Sequence, residues 1–338
     1  MEIDYNLTGK TILITGGTGS FGRKFVSIVL KDHAPKKLII FSRDELKQFE
    51  MHEDFNPKKF PSIRYFLGDI RDRDRLYRAL SDVDVVVHAA ALKQVPAAEY
   101  NPFEFVKTNV IGTQNLIEAA IDCGVERVIG LSTDKAANPI NLYGATKLCA
   151  DKLFISGNAY TGTKRTRFSV VRYGNVVGSR GSVIPFFQKK MAEGVIPITD
   201  PEMTRFFITL EQGVRFVLKA MKRISGGELY VPKIPSMRIA DLAKAIAPDC
   251  EHEIIGIRPG EKVHELMIGK DDARRTLEFD DHYVIEPVQQ DWWDAENPPT
   301  MNSGKRCPDG FEYTSDKNDR WLTIPDLRKL AAQVENEH

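Results

Sequence analysis

Short runs of β-branched and aromatic residues recur along the first half of the chain: T-I-L-I-T from Thr11, K-L-I-I-F from Lys37, I-R-Y-F-L from Ile63, D-V-V-V-H from Asp84, R-V-I-G-L from Arg127 and F-S-V-V-R from Phe168. Amphipathic stretches of helical length separate them. Strands this continuously apolar need cover on both faces, which helices between parallel strands provide. The expected class is α/β, with a doubly wound parallel sheet. Beyond about Gly178 the alternation becomes irregular, with an R-F-F-I-T segment, a helix near Glu211 to Lys222, a strand at Glu228 to Val231 and a helix near Ile239 to Ala247. We read residues 1–178 as a nucleotide-binding domain and 179–338 as a smaller, mainly C-terminal substrate lobe and tail, with later segments able to rejoin the sheet. The tail from Asp291 to Arg306, D-W-W-D-A-E-N-P-P-T-M-N-S-G-K-R, reads as loop.

The first run leads directly into T-G-G-T-G-S-F-G, which places Gly16, Gly19 and Gly22 between a strand and a helix, with Thr18, Ser20 and Phe21 in the same turn. Glycines there let the backbone approach a pyrophosphate, which binds the amide groups of the helix N-terminus in Rossmann-like folds. The second strand ends in F-S-R-D-E-L-K, so Ser42, Arg43 and Lys47 stand where an NAD site usually has an acidic residue for the ribose hydroxyls. NADP is the expected cofactor, with Asp44 the counter-argument. At the third strand end, Asp69 could meet the adenine edge or cap the next helix. Ile70, Ala89, Ala90 and Lys93 complete the expected cofactor wall.

Tyr143 and Lys147 are four residues apart, which puts them on one face of a helix. A tyrosine has an ordinary pKa near ~10, so it needs a neighbouring cation to act as a base near neutral pH. Lys147 is expected to supply that charge and to hold the nicotinamide ribose.

Lys plus Arg and Asp plus Glu are equal at 47 each, so no global field favours nucleic acid or an anionic membrane. Neither the four cysteines nor the seven histidines show a metal-ligand spacing, and no metal is expected. The N-terminus has no basic segment followed by an apolar one, and the apolar runs are far shorter than the ~20 residues of a membrane helix. A cytoplasmic protein is expected.

In this order the motifs resemble the extended short-chain dehydrogenase/reductase superfamily, from about Gly9 to at least Leu266. Sugar-nucleotide 4,6-dehydratases commonly show T-D-E where this chain has T-D-K at Thr133, Asp134 and Lys135. With H-A-A-A-L-K-Q-V-P from His88, R-Y-G-N-V-V-G-S-R-G-S-V-I-P from Arg172, M-T-R-F-F-I-T from Met203 and R-P-G-E-K-V-H-E from Arg258, the set is similar to the inverting UDP-N-acetylglucosamine 4,6-dehydratases.

The resemblance implies a lyase acting on UDP-N-acetylglucosamine. NADP would be tightly bound and regenerated each turnover. It further implies pseudaminic acid biosynthesis and flagellin glycosylation, and a homo-oligomer, with a hexamer among the sizes the family allows. Water loss across carbons 5 and 6 needs an acid and a base besides Tyr143, which is occupied at the 4-oxygen. The resemblance implies that Thr133 bonds the 4-oxygen, Lys135 takes the carbon 5 proton and Asp134 protonates the departing 6-hydroxyl; exchanging the last two roles fits almost as well. For Lys135 to be a base, burial or nearby positive charge must lower its pKa.

In the segments that match the substrate lobe, Arg180, Arg205 and Arg258 are expected at the diphosphate and uridine, with Asn175 and Glu261 at the nucleotide head and ribose. Lys93 could face either sugar or cofactor. Two other functions compete. A UDP-sugar 4-epimerase or reductase would use the same Tyr and Lys but leave Asp134 and Lys135 without a task. A silent NADP-binding regulator would bind nucleotide without turnover.

Overall fold

The computed structural model describes residues 5–178, 183–289 and 304–336. Its first half runs β1 (Thr11–Thr15), α1 (Ser20–Asp32), β2 (Lys37–Ser42), α2 (Glu45–Asp54), β3 (Ile63–Leu67), α3 (Arg73–Ala79) and β4 (Val85–His88). Helices α4 (Val95–Tyr100), α5 (Pro102–Phe105) and α6 (Gly112–Cys123) follow, then β5 (Arg127–Thr133), α7 (Leu142–Gly157) and β6 (Arg167–Tyr173). The apolar runs of the sequence are these strands, and β1 and β4 are buried along their whole length.

The second half adds β7 (Asn175–Val176), α8 (Val183–Met191), β8 (Val195–Ile198), β9 (Thr204–Ile208), α9 (Leu210–Lys222), β10 (Leu229–Pro232), β11 (Ser236–Arg238) and α10 (Ile239–Ile246). Then come β12 (Glu251–Ile254), β13 (Leu266–Ile268), α11 (Lys270–Ala273), β14 (Thr276–Glu278) and β15 (His282–Ile285). The last elements are β16 (Lys305–Arg306), β17 (Tyr313–Thr314) and α12 (Ile324–Asn336).

Among the described residues the main sheet has ten strands, in the order β16-β14-β15-β10-β6-β5-β4-β1-β2-β3. Neighbours from β3 across to β10 are all parallel, and β15, β14 and β16 continue the sheet antiparallel. The winding reverses at β1, where Ile14 lies between Ile40 of β2 and Val87 of β4. Ligands of open α/β sheets bind at the carboxyl ends beside such a reversal.

A boundary at residue 178 divides the chain but not the packing. Strands β10 and β14 to β16 rejoin the main sheet, and α9 packs against α1. The remaining segments build a second core from residues such as Ile184, Phe187, Ile196, Met237 and Leu242.

The stretch expected as loop, Asp291 to Arg306, ends in a strand. Residues 290–303 lie outside the described residues, but Lys305 and Arg306 pair with β14, and α12 follows further on. Its apolar positions Ile324, Leu327, Leu330 and Ala331 recur at helical spacing, and burial of Leu327 and Ala331 joins α12 to the second core.

Candidate active site

The carboxyl ends of β1 to β6 open into a cleft of about 630 Å³. One half of it is the turn after β1. Gly16 has φ +65°, in the left-handed region that glycine tolerates, and a Cβ there would lie 2.8 Å from the Ala90 nitrogen. The amide of Gly19 closes the turn on the Gly16 carbonyl at 3.0 Å. Helix α1 starts at this turn with no side-chain cap and no acidic residue in its first turn, so its N-terminal amides and dipole face the cleft. That is a cradle for a dinucleotide pyrophosphate.

Gly16, Thr18, Gly19, Ser20, Phe21 and Gly22 all line this part of the cleft, as do Ser42, Arg43, Lys47, Asp69, Ile70, Ala89, Ala90 and Lys93. The Thr18 and Ser42 hydroxyls lie 2.9 Å apart and tie the turn to the end of β2. The side chain of Asp44 caps α2 by accepting from the Lys47 amide at 3.0 Å, and it also pairs with the Lys47 ammonium at 2.8 Å. Arg43 meets Asp69 at 3.6 Å, and Arg71 grips the same carboxylate at 2.8 Å. Burial alone would raise the Asp69 pKa, but the bonds from Arg71 outweigh it and hold the carboxyl below its ordinary value. The next helix is capped by Asp72, so Asp69 stays on the cleft wall.

The other half is built around the turn after β5. Asn141 caps α7 by accepting from the Gly144 amide at 2.8 Å. A Cβ on Gly144 would collide with the Lys135 carbonyl oxygen, so the glycine allows the T-D-K turn to sit directly against the start of α7, beside Tyr143. Thr133, Lys135 and Tyr143 line the cleft; Asp134 lies behind them with no exposed surface. One oxygen of Asp134, Oδ1, accepts from the Thr133 hydroxyl at 2.8 Å and from the Lys135 ammonium at 3.1 Å.

Two expectations about charge are corrected here. Burial does lower the Lys135 pKa, but the carboxylates of Asp134 and Glu265 outweigh it, so the net shift is upward and the side chain is an ammonium. Tyr143 is raised to about 12 by burial, and the cation that opposes this rise is Lys135, not Lys147. Lys147 is 4% exposed and donates to the Leu131 carbonyl at 2.7 Å, which fixes it under the cleft floor. Its own pKa is lowered by burial against the pull of Asp151. On the cleft wall, Lys93 is drawn down by burial and then by Lys135.

Among the expected substrate contacts, Asn175 and Lys93 line the cleft. Arg205 does not: it is buried beside the cleft and donates to the carbonyls of Thr204 at 2.7 Å and Val263 at 3.1 Å. Arg258 is exposed and Glu261 half-buried, on a loop that docks on the catalytic turn through Asn141 to Gly260 and Lys262 to Ala137. Arg180 lies outside the described residues.

Sequence reasoning passed over Glu265, whose Oε1 lies 3.4 Å from the Lys135 ammonium. The available signal was a carboxylate standing directly before the apolar L-M-I run of β13. Asp151 was also missed; it accepts from Ser132 at 2.8 Å and from Arg172 at 3.1 Å beneath the site.

Comparison with known proteins places this arrangement among its relatives. Residues 12–287 match the family described as polysaccharide biosynthesis protein. The inverting UDP-N-acetylglucosamine 4,6-dehydratase of Campylobacter jejuni subsp. jejuni serotype O:2 is 54% identical, over 96% of this chain and 98% of that protein. The UDP-glucose 4-epimerase of Rickettsia conorii is 43% identical over 95% of both chains. The X-ray structure of Pen from Bacillus thuringiensis has 39% identity and a TM-score of 0.88, covering 97% of this chain and 99% of that one.

Proposed function

The chain belongs to the polysaccharide biosynthesis protein family, and from that membership and the cleft we propose that it is an inverting UDP-N-acetylglucosamine 4,6-dehydratase. It is a hydro-lyase that works with a nicotinamide cofactor on a UDP-sugar. The observation that carries the reading is the T-D-K turn seated against Tyr143, which puts an additional ammonium in the cleft and a carboxylate immediately behind it. A 4-epimerase has no use for that pair.

The residues of the first half fit the cofactor: a glycine cradle that a Cβ would fill, uncapped amides at α1, and Arg43 and Lys47 at the end of β2. Those cations favour NADP, because Asp44 is engaged in capping α2. When bound there, the nicotinamide would supply reversible hydride chemistry, as acceptor from carbon 4 and donor to carbon 6.

The rest falls to the chain's own side chains. Tyr143, whose raised pKa is opposed by the Lys135 ammonium and the Thr133 hydroxyl, takes the proton of the 4-hydroxyl as the phenolate, and the resulting ketone acidifies carbon 5. Lys135 enters turnover as an ammonium, so it donates to the departing 6-oxygen. Asp134 has a second oxygen with no hydrogen-bond donor and accepts the carbon 5 proton once Lys135 moves toward the sugar. This reverses the roles expected from sequence, for the charge reason given above. One proton and one hydroxyl leave the sugar as water. Asp134 then returns its proton to Lys135, which resets both groups, and as the proton that Tyr143 took leaves to solvent, one from solvent adds to the opposite face of carbon 5 and inverts it. Asn175 and Lys93 bind substrate from the wall, while Arg205 ties β9 to the loop before β13 through the Val263 carbonyl.

Kinship also supports the finer parts of the proposal: a cytoplasmic homo-oligomer that feeds pseudaminic acid biosynthesis and flagellin glycosylation. The activity is tested by mass spectrometry of UDP-N-acetylglucosamine incubated with the cofactor-loaded protein. Loss of one water without accumulation of reduced cofactor is expected; an isomer of unchanged mass would replace this reading with an epimerase.

A further inference from the structure

Lys135 has a carboxylate on each of two sides. Asp134 is its chain neighbour, but Glu265 arrives from the segment leading into β13, and its Oε1 lies 3.4 Å from the ammonium. Glu265 is 2% exposed. Its position is fixed by Ser315, whose hydroxyl accepts from the Glu265 amide at 2.8 Å and whose amide donates to the Glu265 carbonyl at 2.9 Å. Arg205 of β9 places its Nε 3.5 Å from the same Oε1, while Oε2 is buried without a hydrogen-bond donor. A buried carboxylate with one bare oxygen is costly unless a nearby positive charge compensates it.

We infer that Glu265 is a positioning residue for the dehydration step, holding Lys135 as an ammonium aimed into the cleft from a segment outside the nucleotide-binding half of the chain. The inference rests on the dehydratase reading. Other charged groups also face Lys135: Asp134 on its own turn, Tyr143 from α7, Arg205 from β9, Lys262 from the loop before β13 and Lys93 from the loop after β4. Three of these are cations, so with Glu265 neutralised only Asp134 and, once ionised, Tyr143 oppose them, and the ammonium is lost at a lower pH. The raised pKa of Lys135 agrees in direction with this arrangement.

The test is the pH profile of kcat for methyl-sugar formation by the cofactor-loaded Glu265→Gln variant. The parent rate should show no alkaline fall up to the limit of folding, whereas Glu265→Gln should bring an alkaline limb, with Lys135 titrating about one to three pH units lower than in the parent, the usual effect of one close charge. KM should change little, and Glu265→Asp, which draws the carboxylate back from the ammonium, should bring a smaller shift in the same direction. A Glu265→Gln profile of unchanged shape, with activity reduced only in proportion to folded protein, overturns the inference. Should Glu265→Gln not fold, Glu265→Asp decides: a limb between the two extremes supports the role, and a parental profile with parental kcat refutes it. A parent enzyme that releases no methyl sugar fails the dehydratase reading itself, which separates the two failures.

Discussion

The two halves of the cleft are built differently. The cofactor half comes from the turns after β1, β2, β3 and β4, and each wall residue lies within a few positions of the strand that delivers it. In the catalytic half, Asp134 and Lys135 come from the end of β5, Tyr143 from α7, Arg205 from β9 and Glu265 from the approach to β13. A local site depends on backbone shape. A composite one depends on charges from distant segments meeting at the right separation, so its chemistry responds to packing far along the chain.

The largest effect should fall on the composite half. Lys135→Met should lower the rate of methyl-sugar formation by about 10²–10⁴-fold, the usual contribution of a general acid or base. Oxidation at carbon 4, followed as cofactor reduction, should survive; a rate loss below about tenfold would remove Lys135 from the chemistry. Gly144→Ala forces α7 away from the Lys135 carbonyl, an overpacking cost of roughly 1–3 kcal/mol. Its kcat should fall while cofactor Kd stays near the parent value, and the reverse pattern would erase the distinction between the halves.

Within the local half, Arg43→Asp should shift the NADP to NAD preference by about tenfold, equivalent to ~1.4 kcal/mol, with dehydration of bound substrate intact. Equal Kd values for the two cofactors in parent and variant would sink the assignment of Arg43. The smallest effect lies outside both halves. Burial would raise the Asp281 pKa, but bonds from Lys219 and His282 outweigh it and bring it from 3.8 to about 2. A carboxyl lowered on folding contributes stability that is present above pH 3.8 and lost as the pH falls through about 2. The Tm of Asp281→Asn should therefore lie slightly below that of the parent near neutral pH, with the curves converging in acid and kcat unchanged.

Legibility in the sequence follows the same division. The strands of the parallel sheet were readable because burial on both faces demands continuous apolar runs, and the cradle because only glycine allows the turn at Gly16. Tyr143 and Lys147 were readable because helical spacing is local. The charge state of Lys135 was not, since burial and two carboxylates pull in opposite directions and one of them, Glu265, lies far along the chain. Arg205 looked like a phosphate ligand because its chemistry suits that task, yet its donors go to the Thr204 and Val263 carbonyls. Helix α12 was missed because its apolar stripe is short and has meaning only against α10.

The most direct measurement is proton NMR of UDP-N-acetylglucosamine turned over in heavy water by the cofactor-loaded protein. The account predicts a new 6-methyl signal, deuterium at carbon 5 and inverted configuration there. A 6-methyl product with retained configuration at carbon 5, or no methyl signal from folded, cofactor-loaded protein, would contradict it.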